Sequence, residues 1–179
     1  KNVLLSVAGL IKLKGHHLII QALKKIREQG INNAELWIVG EGPYKKKLQE
    51  LATNLGLSHN VKFLGGIERE KLPKIYSHAD VFVLANFQEI TPAVSEALAC
   101  GTPVVVMECG TRKFIIPNEE YGLVSKKFDV EDLANKIMLL LKNSSLRQRI
   151  AQNGRKRIIR KFSISIYADH LYKAITAKK

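Results

Sequence analysis

Two short apolar runs, Val81-Phe82-Val83-Leu84 and Val104-Val105-Val106, enclose a segment with room for one loop, one short helix and a turn. Runs this short and this rich in β-branched side chains read as strands buried on both faces. Strands of that kind belong to parallel sheets, because helical crossovers are what cover both faces at once. The unit strand, loop, helix, strand therefore predicts a parallel α/β arrangement for this part of the chain.

The same alternation runs through the rest of the sequence. Val3-Leu4-Leu5-Ser6-Val7 reads as a first core strand, Ala34 to Gly40 as a second, Val61 to Gly65 as a third and Gly122-Leu123-Val124 as a short last one. Between them, Ile19, Ala22, Leu23 and Ile26 share one helical face, Tyr44, Leu48, Leu51 and Leu55 another, and a short helix passes through Leu72 and Tyr76. Pro43 is expected to open the second of these helices. His16 and His17, which lack metal-ligand spacing, read as surface residues at the start of the first. The segment 107–121, with Gly110 and Pro117, reads as a polar loop. Beyond it, Asp129 is expected to cap a helix carrying Val130, Leu133, Ile137 and Leu140. Ser144 or Ser145 begins another with Ile150 and Ile158, and Ser163 caps the last. The predicted fold is a Rossmann-like parallel sheet with helices on both faces. Right-handed crossovers would line the loops after the strands along one sheet edge.

Within the segment 87–103, Thr91 and Pro92 read as the N-cap and first residue of a helix, with Glu89 in the loop before it and Glu96 one turn inside. A helix N-terminus beyond the carboxyl end of a parallel strand offers unpaired N–H groups to an anion, which suits a phosphorylated ligand. Carboxylates beside it repel phosphate but accept hydrogen bonds from ribose or sugar hydroxyls. Two solvated helix-start residues are the competing reading of Glu89 and Glu96. Lys12 and Lys14, in the glycine-bounded loop 9–15, are placed to neutralise phosphate charge or simply to face solvent. Gly40 and Gly42 do not continue into a dinucleotide fingerprint, whose third glycine would fall at Lys45.

At 179 residues, with 46% hydrophobic and 25% charged residues, the chain suits one domain able to bury its own core. The net charge of +13 permits attraction to polyanions or to an anionic membrane surface, but much of it falls on helical patterns around Lys45-Lys46-Lys47 and Arg155-Lys156-Arg157, where a solvated face accounts for it. The two cysteines, Cys100 and Cys109, form neither a disulfide framework nor a metal-binding pair, which fits a reducing, cytoplasmic setting. No apolar run approaches a membrane span. Since the first residues already read as a core strand, the chain is expected to begin at an internal boundary of a longer protein.

In order along the chain, Gly9 to Gly15, Trp37-Ile38-Val39-Gly40-Glu41-Gly42-Pro43, Val61 to Gly65, Ala79-Asp80-Val81-Phe82-Val83-Leu84, Glu96-Ala97-Leu98-Ala99-Cys100-Gly101-Thr102-Pro103-Val104-Val105 and Tyr121-Gly122-Leu123-Val124 resemble the C-terminal, nucleotide-sugar-binding half of a retaining glycosyltransferase of family 4, which has the GT-B fold. The resemblance implies a single donor-binding domain over residues 1–179, with an N-terminal acceptor domain missing. It implies transfer of a glycosyl group, mannosyl or glucosyl, from a GDP- or UDP-sugar to a glycan or lipid acceptor. No obligatory metal and no nucleic-acid partner are implied. The setting would be cytoplasmic, at the inner face of a membrane.

In the family, the second glutamate of the pair holds the ribose hydroxyls and matches Glu96. The first addresses the donor hexose and stands eight positions earlier, where this chain has Gln88, with Glu89 seven positions earlier. Lys14 matches the lysine of the family's basic loop, Leu10 replaces its arginine, and Lys12 is the nearest substitute. The implied donor site comprises Gly9, Lys12, Lys14, Gly40, Gly65, Ile67, Glu89, Ile90, Thr91 and Glu96, with Lys14 and Glu89 closest to the chemistry. A catalytically silent sugar-nucleotide domain and a basic polyanion-binding module are the other two readings; the second lacks any nucleic-acid motif.

Overall fold

Six parallel strands, β1 (Asn2–Val7), β2 (Ala34–Val39), β3 (Val61–Gly65), β4 (Val81–Leu84), β5 (Val104–Met107) and β6 (Leu123–Ser125), form one sheet in order β3-β2-β1-β4-β5-β6. They are seen in a computed structural model that describes residues 1–86, 88, 89 and 91–176. Period-two alternation divides the strand side chains between two cores. Leu4, Ile38, Val83 and Val105 join one; Leu5, Phe82, Val104 and Val106 join the other. With both faces covered, the strands are apolar at nearly every position, and a one-residue slip would exchange the two sets.

The first core is closed by α1 (His16–Glu28), α2 (Lys45–Asn54) and α6 (Val130–Lys142), through Ile19, Leu23, Leu48, Leu133 and Ile137. The second is closed by α3 (Leu72–His78), α4 (Pro92–Ala99) and α5 (Arg112–Ile115), through Tyr76, Val94, Leu98 and Ile115. The long helix α7 (Ser144–Phe162) gives Ile150 to the first core and Ile158 to the second, so it binds the two layers together before α8 (Ile164–Thr176). Each fully buried Leu, Ile or Phe stabilises such a core by about 1.5–3 kcal/mol.

The predicted strands and helices are all present, with three local corrections. Helix α2 starts at Lys45 rather than Pro43: residues 43–44 form a turn, in which the Tyr44 N–H donates to the Leu10 carbonyl at 2.9 Å. His16 is buried, not superficial, since α1 begins hard against the end of β4. The segment 107–121 contains α5, and Cys109, Ile115 and Ile116 anchor it in the protein, so it is not simply a polar loop. Asp129 caps α6 and α7 begins at Ser144, as expected; Asn143 supplies the cap of α7, and Ser163, in extended conformation, stands directly before α8.

Strands β1 and β4 are neighbours, yet the chain leaves them for opposite faces, through α1 and α4. This is the topological switch point, where the diverging loops leave a crevice beyond the carboxyl ends of the strands.

Candidate functional site

The loop after β1 is built tightly from backbone. After β1, Leu10 turns inward and is fully buried; its N–H donates to the Glu41 carbonyl at 2.9 Å, and its own carbonyl accepts from Tyr44. A core residue at this position cannot deliver a cation to the crevice. The chain then makes a 3-10 turn over Lys12–Lys14 and enters α1 through Gly15, whose φ is 71°. A Cβ there would lie 2.2 Å from the Ala85 carbonyl oxygen, so only glycine lets α1 start this close to β4. Gly40 does the same between β1 and β2: a Cβ would meet the Ala8 carbonyl at 2.1 Å, and its N–H donates to Gly65 at 2.8 Å. Gly40 and Gly65 thus shape the edge. Gly9 is exposed there, and Ile67 packs half-buried on the second core.

Lys12 is exposed, whereas Lys14 is half-buried and its Nζ stands 3.7 Å from Glu89 Oε1 across the switch point. The two residues that sequence placed closest to the chemistry therefore meet, one from each diverging loop. Glu89, rather than the exposed Gln88, faces Lys14. A pair this open to solvent contributes little to stability. Ile90 lies outside the described residues, as does Phe87. Thr91 has the extended backbone of an N-cap, φ −97° and ψ 160°, and Pro92 opens α4 as predicted. The Thr91 hydroxyl, however, makes no cap bond.

That hydroxyl is one of several buried polar groups at this edge without a protein partner. Asn86, 1% exposed, uses its Oδ1 to accept the Gln88 N–H at 3.1 Å but leaves Nδ2 unpaired, and both ring nitrogens of His16 are unpaired as well. Orphaned donors and acceptors each cost about 1–3 kcal/mol, so their grouping beside one crevice singles it out as the candidate site. Burial, with the nearby charges of His17 and Lys14 adding to it, pushes the His16 pKa down to about 4, leaving a neutral imidazole at pH 7.

Glu96 is turned the other way, toward α3. Its Oε2 accepts the Tyr76 hydroxyl at 2.8 Å, and it lines a recess of about 210 Å³ with Arg69, Leu72, Pro73, Tyr76, Ala99 and Cys100. The candidate site thus has two compartments: the Lys14–Glu89 crevice with the head of α4, and the Glu96 recess one turn further along the same helix. Among the described residues, no group of three or more His, Cys, Asp or Glu side chains could hold a metal ion, and no helix is long and apolar enough to cross a membrane.

A family model described as glycosyl transferases group 1 matches residues 1–157, from β1 through most of α7. The chain belongs to that family. Among its group 1 relatives, it is 34% identical over 164 residues to an uncharacterised glycosyltransferase of Methanocaldococcus jannaschii, covering 91% of this chain and 42% of that protein. It is 31% identical over 149 residues to the GDP-mannose-dependent alpha-(1-6)-phosphatidylinositol monomannoside mannosyltransferase of Mycolicibacterium smegmatis, covering 79% of this chain and 39% of that one. The crystal structure of the C-terminal domain of a group 1 glycosyl transferase, LpcC of Francisella tularensis, superposes with a TM-score of 0.80 at 27% identity, covering 90% of this chain and 87% of that one. The chain spans half or less of the length of the curated relatives it matches. Its sheet and flanking helices are those of one Rossmann-like half of a GT-B glycosyltransferase.

Three residues of this group 1 chain carried little local signal in the sequence. Asn86 and His16 look like ordinary loop and helix-start residues until the closeness of α1 to β4 buries them. Tyr76 was visible only as part of a short helix; the structure buries it, a buried tyrosine hydroxyl requires a partner, and that partner is Glu96.

Proposed function

We propose that the chain is the donor-binding domain of a retaining glycosyltransferase of family 4, one wall of a two-domain enzyme that moves a hexose, mannosyl or glucosyl, from a GDP- or UDP-sugar to a glycan or lipid acceptor. The observation that carries this reading is the meeting of Lys14 and Glu89 across the switch point, beside the uncapped head of α4. On this reading Lys14 turns from Glu89 to the diphosphate when donor enters, because a phosphate group offers it more negative charge than one exposed carboxylate. Glu89, released, accepts hydrogen bonds from the hexose. Glu96 accepts the ribose hydroxyls.

Negative charge develops on the departing diphosphate in the transition state, and Lys14 with the N-terminal amides of α4 stands ready to stabilise it without reorganising. The family membership and the name of the mycobacterial relative support a nucleotide diphosphate sugar as donor. The acceptor, and any docking at a membrane face, belong to the other wall, an N-terminal domain. Closure of two walls is what excludes water and completes the site, so this chain alone binds donor and transfers nothing.

The second reading, a catalytically silent sugar-nucleotide domain, is favoured by one observation: Leu10 is sealed in the core where the family's basic loop carries an arginine. A thermal-shift panel of GDP, UDP, GDP-mannose and UDP-glucose tests the shared part of both readings. Ligand at about a hundred times its Kd stabilises the folded state by about 2.7 kcal/mol. A rise in Tm with at least one of the four is expected. No rise with any, together with salt-dependent DNA binding, would favour the polyanion module instead. Sugar transfer by the two-domain protein then separates the active from the silent reading.

A further inference from the structure

Helix α3 is tied to α4 at two points, and both ties run through Tyr76. Its ring is 1% exposed and packs against Phe82 with centroids 5.8 Å apart. Its carbonyl accepts the hydroxyl of Thr102 at 2.7 Å, and Thr102, 2% exposed in the turn after α4, donates its own N–H to Ala97 at 2.9 Å. The phenol is thus clamped by packing at one end and by hydrogen bonding at the backbone. From that fixed mount its hydroxyl donates to Glu96 Oε2 at 2.8 Å.

A phenol has one proton, so it occupies one acceptor position of the carboxylate. The remaining positions, including all of Oε1, are left for a ligand. Burial and the adjacent Glu96 push the Tyr76 hydroxyl well above the usual phenol range, which keeps it a donor.

We propose that Tyr76 is a positioning residue for the donor nucleotide: by holding one oxygen of Glu96 it fixes the plane of the carboxylate so that both hydroxyls of a ribose cis-diol can be accepted together. This rests on the reading of Glu96 as the ribose acceptor. It adds a residue that never touches the ligand, and a chemical signature: Tyr76 contributes to affinity through the cis-diol alone. A glutamate free to rotate on a helix surface would lose side-chain entropy on every binding event, whereas one already held loses less.

The test is isothermal calorimetry with GDP and UDP and with their 2′,3′-dideoxy counterparts, on the unmodified chain, Tyr76→Phe, Glu96→Gln and the double variant. Tyr76→Phe is expected to weaken binding of the better ribonucleotide by about fivefold to tenfold, to leave the dideoxy form unchanged, and to add nothing on the Glu96→Gln background. Unchanged dideoxy affinity also certifies that the variant is folded. If the unmodified chain binds ribo and dideoxy forms equally, the Glu96 reading falls and the role of Tyr76 with it. If the unmodified chain discriminates and Tyr76→Phe discriminates just as well, the role of Tyr76 alone is overturned. Equal losses for both forms would make Tyr76 merely structural and overturn it too. Absence of any binding by the unmodified chain overturns the nucleotide reading as a whole.

Discussion

At the head of α6, Asp129 accepts the N–H of Asp132 at 2.9 Å, and at the head of α7, Asn143 accepts that of Leu146 at 2.9 Å. At the heads of α1 and α4 the corresponding residues, Gly15 and Thr91, make no side-chain cap bond. The charges set α6 apart in the same way, although the first turn of α7 carries no acidic residue. Helix α6 carries Glu131 and Asp132 in its first turn, complementing the positive end of its dipole; α1 and α4 carry no acidic residue in theirs. Helices whose ends are satisfied from within serve the fold. On the proposed reading, the heads of α1 and α4, on the two loops that diverge at the switch point, hold their remaining N–H groups for an anion, those of Leu18 and Val94 being already taken by the Gly15 and Thr91 carbonyls. The difference teaches that the carboxyl edge of the sheet holds two kinds of helix start, α6 capped and α1 and α4 not, while α7 starts at the opposite edge with its Arg147 beside Asp80 ahead of β4. On the proposed reading the second kind is maintained at a cost in stability.

The largest expected sign of that cost is at His16, buried without partners at the head of α1. Its folded-state pKa of about 4 lies below the unfolded value of 6.5, so between these pH values the unfolded state binds more protons. Stability is therefore full above pH 6.5, declines as pH falls below it, and by pH 4 the loss from this group reaches about 3 kcal/mol. Urea unfolding at pH 7, 5.5 and 4 should show the decline, and His16→Leu should flatten it. An unaltered slope in the variant would break the comparison at α1.

Next in size is Glu96→Gln, which keeps the shape of the side chain but removes its charge. Nucleotide affinity should fall by about 1.5–3 kcal/mol, with the unfolding midpoint little changed. Calorimetry returning the same Kd would remove Glu96 from the site.

The smallest effects sharpen the comparison most cleanly. Asp129→Ala should cost about 1 kcal/mol of stability and leave nucleotide affinity alone. Thr91→Ala deletes no cap bond, so stability should move by less than about 0.5 kcal/mol while affinity drops. Equal stability losses for the two variants in parallel denaturant titrations would show that the two kinds of helix start are energetically alike.

The strands were legible because each is an apolar run between turn residues, and the helices because Ile19, Leu23, Ile26 and their counterparts repeat at helical spacing. The parallel arrangement, with its loops along one edge, followed from the alternation and right-handed crossovers, whereas the strand order β3-β2-β1-β4-β5-β6 came from the structure. Lys14, Glu89, Pro92 and Glu96 could be located because glycine, proline and carboxylates at fixed offsets mark loop ends and helix starts. What stayed hidden is what depends on distance between separate loops. The closeness of Gly15 to Ala85 buries His16, the inward turn of Leu10 fixes the basic loop, and the reach of Tyr76 to Glu96 crosses from one helix to the next. No local pattern encodes these contacts, because each depends on two segments meeting only in the assembled sheet. The start of α7 at Ser144 was legible, and the Asn143 beside it supplies the cap.

The central claim, that the uncapped heads of α1 and α4 together receive a nucleotide diphosphate while the capped heads of α6 and α7 do not, is tested most directly by titrating GDP and UDP into the nitrogen-15-labelled chain and following the backbone amides. The account predicts saturable shifts at Lys14, Gly15, His16, Ala93 and Val94, with Asp132 and Leu146 unmoved. Shifts at Asp132 or Leu146 without shifts at His16 and Ala93 would contradict it.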